Sequence, residues 1–133
     1  MAAARGPRVT WAIGGEGRHA EAWNLNPSAV RTIGRERGQP IPRRIGGRAD
    51  AIPLADRSVA RVVMERCPLT RGALAEIARV VAEGGEIVLR HAMPPGFDPH
   101  RVAREVLPGR ATERRIRIGE QELQETRFAV GER

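Results

Sequence analysis

The sequence predicts an α/β fold with a mostly parallel sheet, a C-terminal antiparallel hairpin and a reduced set of helices. A strand, a helix and another strand follow one another between residues 59 and 91, an order typical of a parallel β-α-β unit. Residues 111–130 alternate apolar and charged side chains around Gly119 and Glu120, as a hairpin does. A chain of 133 residues suffices for one core. We therefore expect one domain over residues 8–130, preceded by a flexible N-terminus of residues 1–7.

The composition excludes several kinds of chemistry. All 23 basic residues are arginine, and tyrosine is absent as well, so Schiff-base catalysis, lysine-dependent phosphate loops and tyrosine acid/base catalysis are excluded. The net charge of +7 favours an anionic substrate, a nucleic acid or an acidic protein as partner. Because the arginines are scattered and aromatic residues make up only 3%, an exposed basic face is favoured over a nucleic-acid site.

The sequence offers no sign of export or membrane insertion. Cys67 is the only cysteine, so no internal disulfide can form. No apolar segment has the length of a signal peptide core or of a membrane span. We expect a cytoplasmic protein without membrane contact.

The first half of the chain predicts short strands and loops. Residues 8–13 form a β-branched and aromatic run that ends at Gly14, Gly15 and Gly17. A glycine loop after a buried strand lets a cofactor approach the backbone, although an ordinary turn has the same signature. Residues 21–27 predict a second strand, with no room for a helix before it. Residues 28–47 predict an irregular crossover that holds a possible helical turn at 28–37 and a short strand near 44–45.

The strand predicted at residues 59–64 is apolar enough to be buried on both faces. Glu65, Arg66, Cys67 and Pro68 follow it, at the end of a parallel strand where α/β sheets bind ligands. Glu65 is a candidate general base if burial raises its pKa, and Cys67 is a candidate nucleophile or methyl acceptor if an arginine favours its thiolate. The alternatives are a surface ion pair of Glu65 with Arg66 or Arg71 and a structural thiol.

The next predicted element is a helix that begins after Thr70, a good N-cap, and ends at the glycine pair 84–85. Its apolar stripe consists of Leu74, Ile77, Ala78 and Val81. A strand at 86–91 and a helix at 98–107 follow. The three histidines have neither cysteine partners nor helical spacing, so we predict no metal site.

Two segments of the second half resemble a known family. The loop Asp50-Ala51-Ile52-Pro53-Leu54 is similar to an aspartate-alanine-x-x-leucine-proline loop, and residues 76–85 are similar to a helix ending in E-x-x-R-V-L-x-P-G-G. Both are common in class I S-adenosylmethionine-dependent methyltransferases, in particular those of methyltransferase type 11. Residues 22–26 resemble the G-W-x-N-x-D segment of compact methyltransferase-like proteins.

The resemblance implies a Rossmann-like methyltransferase fold and S-adenosylmethionine as cofactor. The implied cofactor-binding residues are Gly14, Gly15, Gly17, Asn26, Asp50, Ala51 and Ile52. Asn26 stands where the family usually has an acid for the ribose, Asp50 matches the acid that bonds the adenine amino group, and the residues after it match those that pack on the ring. The implied substrate site consists of Glu65, Arg66, Pro68 and His91.

Three functions follow as hypotheses. Methyl transfer needs positioning more than side-chain catalysis, so it is compatible with this residue set. A non-catalytic binding or assembly module is the second, with apolar faces left by missing helices covered by a protein partner or in a homodimer. The third is an effector or toxin-type domain acting on nucleotide or nucleic acid through the basic surface.

Overall fold

A computed structural model describes residues 9–133, so the N-terminus predicted to be flexible at 1–7 and Arg8 lie outside the described residues. Seven strands form one sheet in the order β3-β2-β1-β4-β5-β7-β6. The strands are β1 (Thr10–Ile13), β2 (Trp23–Leu25), β3 (Arg44–Ile45), β4 (Val59–Glu65), β5 (Val81–Ala92), β6 (Arg110–Ile118) and β7 (Gln121–Ala129). The two helices are α1 (Arg71–Val80) and α2 (Arg101–Val106).

The sheet is parallel from β3 to β5 and antiparallel from β5 to β6. The C-terminal hairpin turns at Gly119, which has a φ of 61°, and Ile118 pairs with Gln121 across the turn. The predicted fold class, a mostly parallel sheet with a final antiparallel hairpin and few helices, is therefore confirmed.

The core lies between the sheet and its two helices. α1 begins after Thr70, whose hydroxyl accepts a hydrogen bond from the Ala73 amide at 3.1 Å, as the sequence predicts. The buried stripe of α1 packs on the β4 and β5 side chains that point to the same face. These are Leu74, Ile77 and Val80 of the helix with Val62, Met64, Ile87 and Leu89 of the strands.

The glycine pair 84–85 does not end α1, which stops at Val80 and passes directly into β5. The pair forms an irregularity inside the strand, because the register with β4 shifts between Val59 and Arg61. Gly84 has a φ of 75°, and a Cβ on Gly85 would lie 2.8 Å from the Ala60 carbonyl oxygen. Glycine is needed at both positions, but to bulge a strand and not to cap a helix.

Two further expectations differ from the structure. Residues 28–37 hold no helix; a bridge between Val30 and Pro40 closes a loop there instead. The second helix is also shorter than predicted, since it begins at Arg101 and not at Asp98. Asp98 accepts from the His100 amide at 2.9 Å, so it terminates the loop before the helix.

The face of the sheet opposite α1 carries no helix in the described part of the chain. Right-handed crossovers that run from β1 to β2 and from β4 to β5 leave the sheet on opposite faces, and the first of these is only a loop. The helix-free face bears charges of alternating sign, which are Arg61, Glu65, Glu86, Arg90, Glu125 and Arg127. Their side chains cover Val63 and Val88, which are at most 1% exposed. The apolar face expected for an assembly module is therefore replaced by an ion-pair network.

Neither described helix has the length and apolar character needed to cross a membrane.

Candidate functional site

A cleft of about 480 Å³ lies at the carboxyl ends of β1, β2 and β4. The order of the strands reverses beside β1, and α/β sheets bind ligands at such a switch point. The lining comes from the strand ends, from the loop before β4 and from residues 32–33. The residues that line this cleft include Gly14, Asn26, Ala49, Asp50, Glu65, Arg66, Cys67 and Pro68.

The glycine loop after β1 packs against the protein itself. A Cβ on Gly14 would lie 2.8 Å from Cys67 Sγ, one on Gly15 would lie 2.4 Å from Asn24 Oδ1, and one on Gly17 would lie 2.7 Å from Pro42 Cδ. The expected reason for these glycines, close approach of a cofactor, is therefore replaced by internal packing. Gly14 still lines the large cleft, whereas Gly17 lines neither this cleft nor the smaller one beside it.

Asn26 ties the glycine loop to the end of β2. Its Nδ2 donates to the carbonyl oxygens of Gly14 at 3.3 Å and Gly15 at 3.0 Å, and its Oδ1 accepts from the Ser28 amide at 2.9 Å. A carboxylate has no donor for the two carbonyls, which explains physically why an amide stands here. One acceptor position of Oδ1 remains for a ligand.

Asn24, which sequence reasoning missed, holds the other end of the loop. It is 1% exposed, accepts from the Gly17 amide at 3.2 Å and donates to the Pro42 carbonyl at 2.8 Å. A buried asparagine two residues from Asn26 on one strand could have indicated this pair, since buried amides need partners.

Asp50 lines the cleft with an exposed carboxylate. Its only ion pair among the described residues is with Arg48, at 3.1 Å, and the hydrogen bond from Arg48 lowers the pKa of the carboxyl. The two residues after it are not at the cleft as expected: Ala51 points to solvent and Ile52 is 3% exposed in the core. Ala49, on the other side of Asp50, lines the cleft instead.

Glu65 is not a general base. Burial alone would raise its pKa, but hydrogen bonds from His19, Arg18 and Arg90 hold it far below the ordinary value of a glutamate. One oxygen accepts from Arg18 at 2.8 Å and lies 3.1 Å from His19, and the other accepts from Arg90 at 2.7 Å and again from Arg18. Four donors fill the four acceptor positions of a carboxylate. Glu65 therefore has the contacts of an ion-paired anchor for the loop after β1 and not those expected of a general base.

Cys67 is not an activated nucleophile either. Burial raises the pKa of its thiol to about 11, and Sγ lies 3.7 Å from the Ile13 carbonyl oxygen. The thiol packs under Gly14, so it is the structural thiol that was the alternative interpretation. Pro68 lines the outer part of the cleft beside it.

His91 has no free nitrogen for a substrate. Its Nε2 lies 2.8 Å from the Cys67 carbonyl oxygen and its Nδ1 lies 2.9 Å from Nε2 of His100. His100 Nδ1 lies 2.7 Å from the Thr126 hydroxyl. This series of hydrogen bonds fits two neutral imidazole rings, each donating from Nε2 and accepting at Nδ1. Burial lowers the pKa of His91, and it lowers that of His100 to about 4 with help from the neighbouring ring.

A smaller cleft of about 260 Å³ opens on the helix-free face and meets the larger one at Gly14, Glu65 and Arg66. Arg66 adopts a left-handed backbone with a φ of 56°, and its amide donates to the Arg90 carbonyl at 2.9 Å. Arg31 also lines the smaller cleft.

Sequence reasoning missed the ion-pair network that surrounds Glu65. Arg90 is 8% exposed and bridges Glu65 to Glu125, each at 2.7 Å. Arg114 and Arg127 also bind Glu125, at 2.6 and 2.9 Å. Opposite charges at every second position of consecutive strands were the signal that could have found it. Residues 9–133 contain no group of three or more His, Cys, Asp or Glu side chains suited to a metal.

No family model matches this chain, and no curated protein matches it. Solved structures do. A 16S rRNA (adenine(1408)-N(1))-methyltransferase from Catenulisporales acidiphilia has a TM-score of 0.61 at 15% identity, over 99% of this chain and 89% of that one. A possible histamine N-methyltransferase from Thermotoga maritima has a TM-score of 0.66 at 16% identity, over 95% and 83%.

A third similar structure is a putative methyltransferase from Haloferax volcanii, solved in complex with the Trm112 methyltransferase activator. It has a TM-score of 0.62 at 15% identity, over 99% of this chain and 87% of that one. At these identities the likeness shows the fold. The chain has the fold of class I S-adenosylmethionine-dependent methyltransferases, as the sequence predicts.

Proposed function

We propose that this chain is a methyltransferase-like protein that binds S-adenosylmethionine in the large cleft and transfers its methyl group to an acceptor in the smaller one. One observation carries the proposal: the large cleft lies at the switch point of the sheet and is lined by both Asn26 and the free edge of Asp50. The likeness to solved methyltransferases supports it.

The residues present fit the cofactor at two points. Asp50 has an exposed carboxylate with acceptor positions beyond its bonds to Arg48, enough for the adenine amino group. Asn26 offers one remaining acceptor for a ribose hydroxyl, where a carboxylate would offer two or more. We therefore expect binding that depends strongly on Asp50 and is weaker than a ribose acid would give.

The bound cofactor supplies a methyl group on a sulfonium, which is already an activated donor. The contribution of the protein is then to hold the acceptor in line and to exclude water. Glu65 supports this indirectly, because it fixes the loop of Arg18 and His19 beside the junction of the two clefts. Burial raises the pKa of the Cys67 thiol to about 11, which disfavours the thiolate as a methyl acceptor.

Isothermal titration of S-adenosylhomocysteine into Asp50→Ala and Asp56→Ala tests the site. Asp56 is a matched control, because its exposed carboxylate pairs with Arg79 outside the cleft. Losing a hydrogen bond to a charged acceptor should weaken binding by roughly 10- to 100-fold in Asp50→Ala and leave Asp56→Ala unchanged. Equal affinity in all three proteins would refute the role of Asp50.

A non-catalytic module is the second candidate. It is favoured by the Asn26 amide, whose donors serve the loop and whose position lacks the usual acid. A protein partner or a homodimer belongs to this candidate, and the complex of the Haloferax volcanii neighbour with an activator supports a partner. Light scattering after size exclusion tests self-association, and a stable monomer argues against the homodimer.

The effector hypothesis rests on the net charge of +7 alone and stays a prediction. Growth arrest on induced expression in bacteria would favour it. A cytoplasmic location is part of our proposal as the default for a chain with one cysteine.

A further inference from the structure

We propose that the smaller cleft is an anion site in which Arg66 and Arg31 bind a carboxylate or phosphate group of the methyl acceptor. The assignment of this anion to the methyl acceptor rests on the proposed function, whereas the anion site itself does not. The two clefts share Gly14, Glu16, Ile33, Glu65 and Arg66, so a group held in the smaller one would lie next to a cofactor in the larger one.

Arg66 is a cation without an acidic partner in residues 9–133. No carboxylate forms an ion pair with its guanidinium, and its buried Nε has no hydrogen-bond acceptor. The neighbouring Glu65 cannot serve it, because Arg18, His19 and Arg90 occupy that carboxylate. A buried donor without an acceptor is unfavourable, and an anion bound at the guanidinium would supply the missing acceptor.

The backbone of Arg66 is strained in a way that points to a ligand. Its φ of 56° is unfavourable for an L-residue, and such strain concentrates at binding sites. Arg43 and Arg57 also have a positive φ, but neither lines either cleft. Among the non-glycine residues of the described chain, only Arg66 combines a left-handed backbone with a position in a cleft wall.

Arg31 provides the second cation. Its guanidinium is paired only with the half-exposed Glu36, and its buried Nε likewise lacks an acceptor. These two Nε atoms are the buried side-chain donors left without a partner in the described residues, and both arginines line the same cleft. Two carboxylates also line the cleft, but both are already bonded: Glu65 by Arg18, His19 and Arg90, and Glu16 by the Thr32 hydroxyl and the amides of residues 32 and 33. The two guanidinium groups around about 260 Å³ then suit one carboxylate or phosphate on a small molecule.

Side-chain NMR of the arginine Nε–H groups with inorganic phosphate tests the site, at constant ionic strength so that screening does not change. Arg66→Gln and Arg31→Gln assign the two signals. We expect saturable shifts of both signals and a loss of phosphate affinity of at least about fivefold in Arg66→Gln. Arg57→Gln is the matched control, because Arg57 is left-handed, exposed and without an ion pair among the described residues, and it should bind phosphate as the natural chain does.

Shifts that do not saturate, or an equal loss in Arg57→Gln, would overturn the anion site. A second arm uses S-adenosylhomocysteine, which carries a carboxylate, and methylthioadenosine, which does not. If phosphate competes with the first ligand and not with the second, the anion is the cofactor's own carboxylate and the acceptor assignment is wrong. If phosphate saturates in the presence of S-adenosylhomocysteine, the assignment stands. Phosphate binding without any binding of S-adenosylhomocysteine would refute the proposed function and keep the anion site.

Discussion

The substitution Asn26→Asp tests whether Asn26 serves mainly to hold the glycine loop or to bind a ribose hydroxyl of the cofactor. The substitution keeps the acceptor for the Ser28 amide but removes the donor to the Gly14 and Gly15 carbonyls. It also turns a buried carboxylate toward two carbonyl oxygens, since Asn26 is 7% exposed. We expect Asn26→Asp to destabilise the fold although it restores the acid typical of the family.

The magnitude follows from the contacts. Two lost hydrogen bonds cost about 2 kcal/mol, and leaving the two carbonyl oxygens without a donor against a charged carboxylate costs about 1–3 kcal/mol more. The free energy of unfolding should fall by at least about 3 kcal/mol, which corresponds to a fall of roughly 10 °C in Tm for a domain of this size. Urea unfolding followed by the fluorescence of Trp11 and Trp23 measures it, and Trp23 lies three residues from the substitution.

Asn26→Ala is the control, because it removes the same donors, and also the acceptor for the Ser28 amide, without adding charge. It should lose about 3 kcal/mol at every pH, whereas the deficit of Asn26→Asp should shrink toward acid as protonation returns an O–H donor. An aspartate variant as stable as the natural chain at neutral pH would refute the role of Asn26 in holding the glycine loop.

Three other substitutions or conditions have defined outcomes. Glu65→Gln should destabilise the fold by about 2 kcal/mol, because Arg90 loses a buried partner. The control Glu122→Gln, on the exposed hairpin, should cost less than about 0.5 kcal/mol. Urea unfolding measures both, and equal effects would contradict a stabilising role of the ion-pair network. A thiol with a pKa of about 11 should react with Ellman's reagent at neutral pH about a hundredfold more slowly than a free cysteine, and fast labelling of Cys67 would contradict its burial. His100 has a pKa of about 4 in the folded chain against 6.5 in the unfolded chain. Its contribution to the free energy of unfolding, up to about 3 kcal/mol, is therefore complete above pH 6.5 and should be lost as the pH falls toward 4. His100→Gln should remove this pH dependence, and an unchanged pH profile of stability would contradict the prediction.

Elements with a local signal were predictable. The hairpin β6–β7 follows from period-two alternation around Gly119, and α1 follows from its cap at Thr70 and its apolar stripe. The end of α1 was not predictable, because Gly84-Gly85 fits a helix stop and a strand bulge equally well. The difference depends on the register of β5 against β4, which is a tertiary feature.

The candidate site was predictable in position but not in roles. The family pattern located Asp50 at the cleft. The residue next to Asp50 that also lines the cleft is Ala49, whereas Ile52 belongs to the core. The raised pKa predicted for Glu65 differs from the structure, because Arg18 and Arg90 come from positions 47 and 25 residues away. Desolvation can be guessed from a strand end, but the number of donors around a carboxylate depends on the whole fold.

Backbone amide NMR of the uniformly labelled chain with S-adenosylhomocysteine tests the central claim, that the cleft at the ends of β1, β2 and β4 binds the cofactor. We expect saturable shifts at Gly14, Asn26, Asp50 and Arg66, with little change at Arg57, which lines neither cleft. No shift at millimolar ligand, or shifts that fall away from these strand ends, would contradict the claim.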